Sequence, residues 1–116
     1  MTWAHGLGVT PKLLVIYASK ETSTGSTARS VGTCFGTATA VDNESCTFGN
    51  NNTDPSTSGN ADQSTTQILR LTTGQGDDSA IGTVTTMDST NIVITTTTNT
   101  NNVGEGTLYI QAFVLV

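Results

Sequence analysis

The chain has 116 residues, of which 11% are charged and 5% aromatic, and its 9 acidic against 4 basic side chains give a formal net charge of −5. That length suits one domain with a buried core, and low charge together with many β-branched residues sets the chain apart from sequences that stay disordered. Lys12, Lys20, Arg29 and Arg70 are scattered, which excludes the clustered cations that a nucleic-acid surface needs. No apolar run approaches the roughly 20 residues of a membrane-spanning helix. The first residues lack the basic and apolar regions of a secretion signal, so a soluble, unprocessed chain is expected.

A short first strand is expected around Trp3. His5-Gly6-Leu7-Gly8 then reads as a structural bend: Gly6 and Gly8 open backbone angles closed to other residues, a neutral imidazole at His5 can donate and accept a hydrogen bond, and Pro11 ends the bend. From Pro11 to Ser19 the chain is apolar at successive positions, which predicts a strand covered on both faces. The segments ARSVGTCFG and ESCTFGN predict two more strands, each with a Phe-Gly near its end. Between Asn50 and Ser64 there is no large apolar residue, and a long exposed loop is expected.

The segment QILRLT places Leu69 and Leu71 on one face and Ile68 and Arg70 on the other. AIGTVTTM and NIVITTTT predict a hairpin joined by Asp88-Ser89-Thr90, with Ile92 and Ile94 facing one way and Val93, Thr95 and Thr97 the other. In the closing strand, Leu108, Ile110, Ala112, Val114 and Val116 share one face, and Tyr109, Gln111, Phe113 and Leu115 share the other. Neither face is made for water. A partner sheet can cover one; self-association is the simplest cover for the second, with loops of the same chain as the alternative. About eight strands without a helical period predict an all-β fold: a single antiparallel β-sandwich, jelly-roll-like, over residues 1–116.

Little in the chain suggests catalysis. His5 is the only histidine, and no Gly-x-Ser-x-Gly elbow accompanies it, so no enzymatic activity and no cofactor are expected. Cys34 and Cys46 lie in neighbouring strands and are either a disulfide or two buried thiols, depending on compartment and geometry. With one distant histidine they do not make a zinc site, and Asp77-Asp78 reads as a solvated turn rather than a calcium loop. No metal is expected. Tyr17, Tyr109 and Phe113 sit in apolar strands, which leaves Trp3 and Phe48 as the aromatics free to stack on a sugar.

Trp3-Ala4-His5-Gly6-Leu7-Gly8, followed by Thr10-Pro11-Lys12 and the strand LLVIYA, resembles the opening of small β-sandwich domains in virion proteins of tailed bacteriophages. Those domains read as an aromatic, His-Gly-Leu-Gly, x-x-Pro and an apolar strand. The segments SVGTCFGTATAVDNESCTF, QILRLTTGQGDDSAIGTVTTMDSTNIVIT and GTLYIQAFVLV continue the likeness over nearly the whole chain. The resemblance implies a structural virion protein, most like a capsid decoration or cement protein that binds the major capsid protein on the capsid exterior and stabilises the shell. By analogy it implies homotrimers at local threefold axes, with Trp3, Tyr109, Phe113 and Leu115 as interface residues. The alternative it leaves is a tail or fibre receptor-binding module that takes a glycan, with the Asn50–Ser64 segment as its exposed loop. Only Met1 and Thr2 precede the motif, which favours a free-standing subunit. Neither nucleic acid nor membrane is an expected partner, and the fold alone does not specify the role.

Overall fold

The computed structural model describes residues 1–22, 31–51, 61–72, 78–98 and 106–116. They form β1 (Thr2–Ala4), β2 (Leu13–Thr22), β3 (Val31–Ala40), β4 (Asn43–Asn51), β5 (Ala61–Ser64), β6 (Leu69–Thr72), β7 (Asp78–Met87), β8 (Asn91–Thr98) and β9 (Gly106–Leu115). The strands make two antiparallel sheets, one in the order β1-β8-β7-β6 and one in the order β5-β4-β3-β2-β9. The two sheets pack face to face. The all-β sandwich expected from the sequence is the fold, with nine strands among the described residues rather than about eight.

The additional strand corrects the reading of residues 50–64 as one long loop. β4 runs on to Asn51, and Ala61–Ser64 returns as β5 against Cys46–Gly49. Its residues are poor strand formers, and what holds them extended is the ladder to β4, an energy that depends on a neighbour rather than on local propensity. Only Ser64 of the four is buried, which suits a strand at the rim of a sheet. Residues 52–60, the rest of that segment, lie outside the described residues.

Alternation builds the core. Leu14, Ile16 and Ala18 on β2, Cys34 and Ala38 on β3, Cys46 and Phe48 on β4, Leu69 and Leu71 on β6, Ala80 and Val84 on β7, and Ile92 and Ile94 on β8 point inward and are buried. Each large aliphatic side chain so covered contributes on the order of 2 kcal/mol relative to exposure. β1 is tied to β8 at its start, where the Met1 amino group donates to the Ile94 carbonyl at 2.6 Å and the Ile94 N–H donates to the Met1 carbonyl at 2.9 Å.

The sheets meet most closely where the segment entering β6 crosses β3. A Cβ built on Gly36 would overlap the carbonyl oxygen of Ile68, so only a residue without a side chain allows this approach. The neighbouring Cys34 thiol donates to the same carbonyl at 3.7 Å, and the Arg70 N–H donates to the Cys34 sulfur at 3.4 Å. Arg70 lays its guanidinium 4.9 Å from the centre of the Phe48 ring, a cation–π contact worth about 0.5–1 kcal/mol.

A second bond between the sheets is made by a buried carboxyl group. The β7–β8 register shifts between Val84 and Thr86, and the Val84 N–H donates to Glu44 Oε2 on β4 at 2.8 Å. Glu44 is buried. Desolvation pushes its carboxyl above the usual range, the Val84 N–H draws it partly back, and the charge of Asp42 adds to the rise.

Two outcomes follow from these contacts. Gly36→Ala should lose about 3 kcal/mol in urea denaturation, whereas Gly32→Ala, whose Cβ would meet its nearest neighbours at 3.4 Å, should stay within about 1 kcal/mol of the parent. A Gly36→Ala protein of parental stability would contradict the close approach. A carboxyl whose pKa is raised by folding stabilises the fold fully below the ordinary carboxylate range and loses that contribution as pH rises through the raised value. The stability difference between Glu44→Gln and the parent should therefore move in favour of Glu44→Gln from acid to neutral pH, and a difference that stays flat or moves the other way would contradict the burial of a charged Glu44.

Candidate functional site

Three places in the fold carry residues singled out in the sequence: the bend after β1, the cysteine pair in the core, and the outer face of the five-stranded sheet.

The bend is built around His5. Gly6 and Gly8 take positive φ values of 64° and 70°, the left-handed region that a side chain disfavours. His5 Nδ1 accepts the Leu7 N–H at 3.3 Å, which fixes Nε2 as the protonated nitrogen, and Nε2 lies 3.0 Å from the Asp88 carbonyl oxygen to which it donates. The His5 N–H donates to the Thr90 carbonyl at 3.1 Å. One side chain thus closes its own bend and clips that bend to the β7–β8 turn. The turn is itself organised by Asp88, whose Oδ1 accepts the N–H groups of Thr90 and Asn91, each at 2.7 Å. Those two bonds hold the Asp88 carboxyl below the usual range, with the nearby His5 adding to the effect. Both ring nitrogens of His5 are occupied by backbone groups. Pro11, buried, leads from the bend into β2.

The cysteines are neighbours but not bonded. Cys34 stands opposite Phe48, and Cys46 opposite Gly36, so the two sulfurs meet on a diagonal of the β3–β4 ladder, both buried and both free thiols. Their mutual hydrogen bond and the surrounding apolar core push the Cys46 thiol far above its ordinary range. The same hydrogen bond draws the Cys34 thiol below its ordinary range, against the desolvation that raises it and with help from the Arg70 N–H; both side chains pack in the core.

The outer face of the five-stranded sheet is different in kind. Contrary to the expectation that β2 is covered on both sides, only its inward residues are sealed; Leu13 and Val15 are half-buried and Tyr17 is 46% exposed. Phe35 is 51% exposed, Tyr109 53%, Phe113 63% and Leu115 61%. The register sets them in adjacent rungs. Phe113 stands beside Val15, which stands beside Thr37; Gln111 stands beside Tyr17, which stands beside Phe35 and then Thr47. No charged side chain interrupts these rungs. The face is an uncharged platform of four rings edged by hydroxyls, of which the pair Thr37 Oγ1 and Ser45 Oγ lie 3.3 Å apart.

This placement reverses the assignment of free aromatics. Trp3 is half-buried against the core and Phe48 is buried, whereas Tyr17, Tyr109, Phe113 and Phe35 are open. The signal lies in the spacing to cysteine. Cys34 and Phe35 are adjacent and must point to opposite faces, while Cys46 and Phe48 are two apart and share one; with both thiols buried, Phe35 is outside and Phe48 inside. Of the residues expected at an interface, Tyr109, Phe113 and Leu115 fall on this platform, and Trp3 lies in the other sheet.

Among the described residues no group of three or more His, Cys, Asp or Glu side chains lies close enough to hold a metal. Asp77 and the Asp78 side chain fall outside what the structure describes. No family model, curated protein or solved structure matches this chain.

His5→Ala removes two bonds to backbone from a half-buried position and should cost about 1–2 kcal/mol. Amide resonances of Leu7, Asp88 and Thr90 should move, while those of the core strands stay in place. Unchanged stability, or loss of the core signals, would contradict a clip confined to the bend and the turn.

Proposed function

We propose that this chain is a structural virion protein of a tailed bacteriophage: a capsid decoration protein that docks on the outer surface of the major capsid protein and stabilises the shell. The observation that carries the reading is the uncharged aromatic platform on β2, β3 and β9. Four half-exposed rings, at 150–250 Å² for each fully buried aromatic, amount to roughly 400 Å² of apolar surface, and Leu13, Val15 and Leu115 extend it. A patch of that size is in the range of the largest on an ordinary domain, and such patches are often functional; its rings and lack of charge favour a contact surface. A shell lattice offers a repeated partner surface, and a sheet face with few charges can bind it through apolar contact and hydroxyl hydrogen bonds.

The resemblance of the His5-Gly6-Leu7-Gly8 opening supports the viral setting, and the clip at His5 gives that motif a physical role, since it fixes the sandwich edge without requiring chemistry. Holding a shell together needs area and geometry rather than a reacting group. The same platform also favours a second reading, a tail or fibre module for glycans, because rings beside the hydroxyls of Thr33, Thr37 and Thr47 suit sugar stacking.

The two readings separate in one assay. The chain should co-sediment with purified shells of the parent virus from which it has been stripped. Phe35→Lys should weaken that binding tenfold or more, about 1.4 kcal/mol, and Thr97→Lys, on the outer face of the other sheet, should leave it unchanged. Failure to bind shells, joined with capture of the chain on a glycan array that Phe35→Lys abolishes, would put the receptor-binding reading in its place.

A further inference from the structure

β9 is the rim of the five-stranded sheet, and no described strand pairs with its second edge. Natural edge strands are blunted by lysine, proline, bulges or short length. β9 has none of these: it runs for ten residues, pairs with β2 without a register shift from Leu13↔Leu115 to Thr22↔Gly106, and carries no charge. Both of its flanks are apolar and open. Tyr109, Phe113 and Leu115 are exposed on the outer face, and on the inner face Ala112 is exposed and Val114 is 36% exposed, because the four-stranded sheet reaches only Leu108 and Ile110.

The order of residues along this edge is a chemical palindrome. Reading outward from Gln111 in either direction gives an aliphatic residue (Ile110 or Ala112), an aromatic (Tyr109 or Phe113) and an aliphatic (Leu108 or Val114). A palindrome of this kind is what a two-fold antiparallel pairing needs, since residue i of one copy then meets its mirror position in the other.

We propose that β9 pairs antiparallel with β9 of a second copy of this chain, about a two-fold axis through Gln111, so that two five-stranded sheets join into one of ten strands. In that register Tyr109 stands opposite the second copy's Phe113, Leu108 opposite its Val114, and Ile110 opposite its Ala112, with the two Gln111 amides facing each other at the axis. Aromatic cross-strand pairs of this type stabilise ladders. The open edge gains its missing hydrogen bonds, and the flanking side chains pack laterally against their cross-strand partners while the outer face stays open. Exposed parts of Tyr109, Phe113, Leu115 and Val114 come to roughly 400 Å², about half of the 800 Å² per partner of a standard interface, so the ladder of edge hydrogen bonds has to supply the rest. The pairing stands apart from the shell-docking reading and gives a dimer where the family resemblance implies a trimer; it also brings the two aromatic platforms onto one continuous face.

Sedimentation equilibrium of the chain at micromolar concentration, followed by cross-linking, tests the pairing. The expected mass is that of two chains. Gln111→Lys, a change at an exposed position, sets two ammonium groups against each other at the axis and should give the mass of one chain with an unchanged circular dichroism spectrum, whereas Thr47→Lys, three strands away in the same sheet, should remain a dimer. Gln111→Cys treated with oxidised glutathione should yield a covalent dimer through thiol–disulfide exchange, with the glutathione reduced, and Thr47→Cys should not. A parental mass of one or of three chains, or a dimer that Gln111→Cys does not cross-link, would overturn the pairing. The masses are read on the chain without shells, so failure to bind shells leaves the dimer standing, and a single-chain mass leaves the shell-docking reading standing.

Discussion

The architecture hinges on the contact between Gly36 and the Ile68 carbonyl. Because β3 has no side chain at that rung, the segment entering β6 can lie directly on the sheet, where the Cys34 thiol and the Arg70 N–H add polar contacts to it. β6 is thereby seated over β3 and β4, with Arg70 across Phe48. Seating the four-stranded sheet toward that side has a consequence at the opposite rim. Leu108 and Ile110 still reach the core, but the end of β9 extends past the cover, leaving Ala112 and Val114 exposed on the inner face. Close packing in one half of the sandwich and an open strand in the other are two aspects of the same offset.

Polar groups between the sheets act as positioning devices. Glu44 spans from β4 to the Val84 N–H beside the irregularity in β7, and His5 spans from the bend after β1 to the turn after β7. A buried carboxylate is a weak source of stability, because its desolvation offsets much of its hydrogen bond; its value here is in fixing where one sheet lies on the other. His5 has the corresponding role at the edge, with both ring nitrogens engaged by backbone groups.

Much of the fold is legible in the chain, and the departures have a common origin. Alternation in Ile92–Thr97 and the Asp88-Ser89-Thr90 turn identify the β7–β8 hairpin because both are local: period two sets the faces, and the Asp88 side chain caps the turn. β5 escapes such a reading because Ala61–Ser64 is held by β4 and not by its own composition. The open platform escapes it because alternation reports which residues share a face, not whether another layer covers it. Pro11 to Ser19 is apolar on both sides, which in a parallel sheet would mean two covers; in this antiparallel sheet the second side faces outward at Tyr17. The closing strand is the more informative one, since two apolar faces and no charge at a sheet rim leave a surface that calls for a partner. Of the candidate site, Tyr109, Phe113 and Leu115 are legible from that strand alone, while Tyr17 and Phe35 need the register.

The central claim is that the outer face of the five-stranded sheet is the working surface of this protein. Under the virion role proposed above, cryo-electron microscopy of purified phage particles tests it most directly, since a map resolves both where the sandwich sits and which sheet it turns toward its neighbour. The account predicts ordered density at regular positions on the icosahedral shell, with Tyr17, Phe35 and Phe113 against the capsid surface and the β1-β8-β7-β6 sheet facing away. Density on the shell with the four-stranded sheet against the capsid, or density confined to a few copies on the tail, would contradict it.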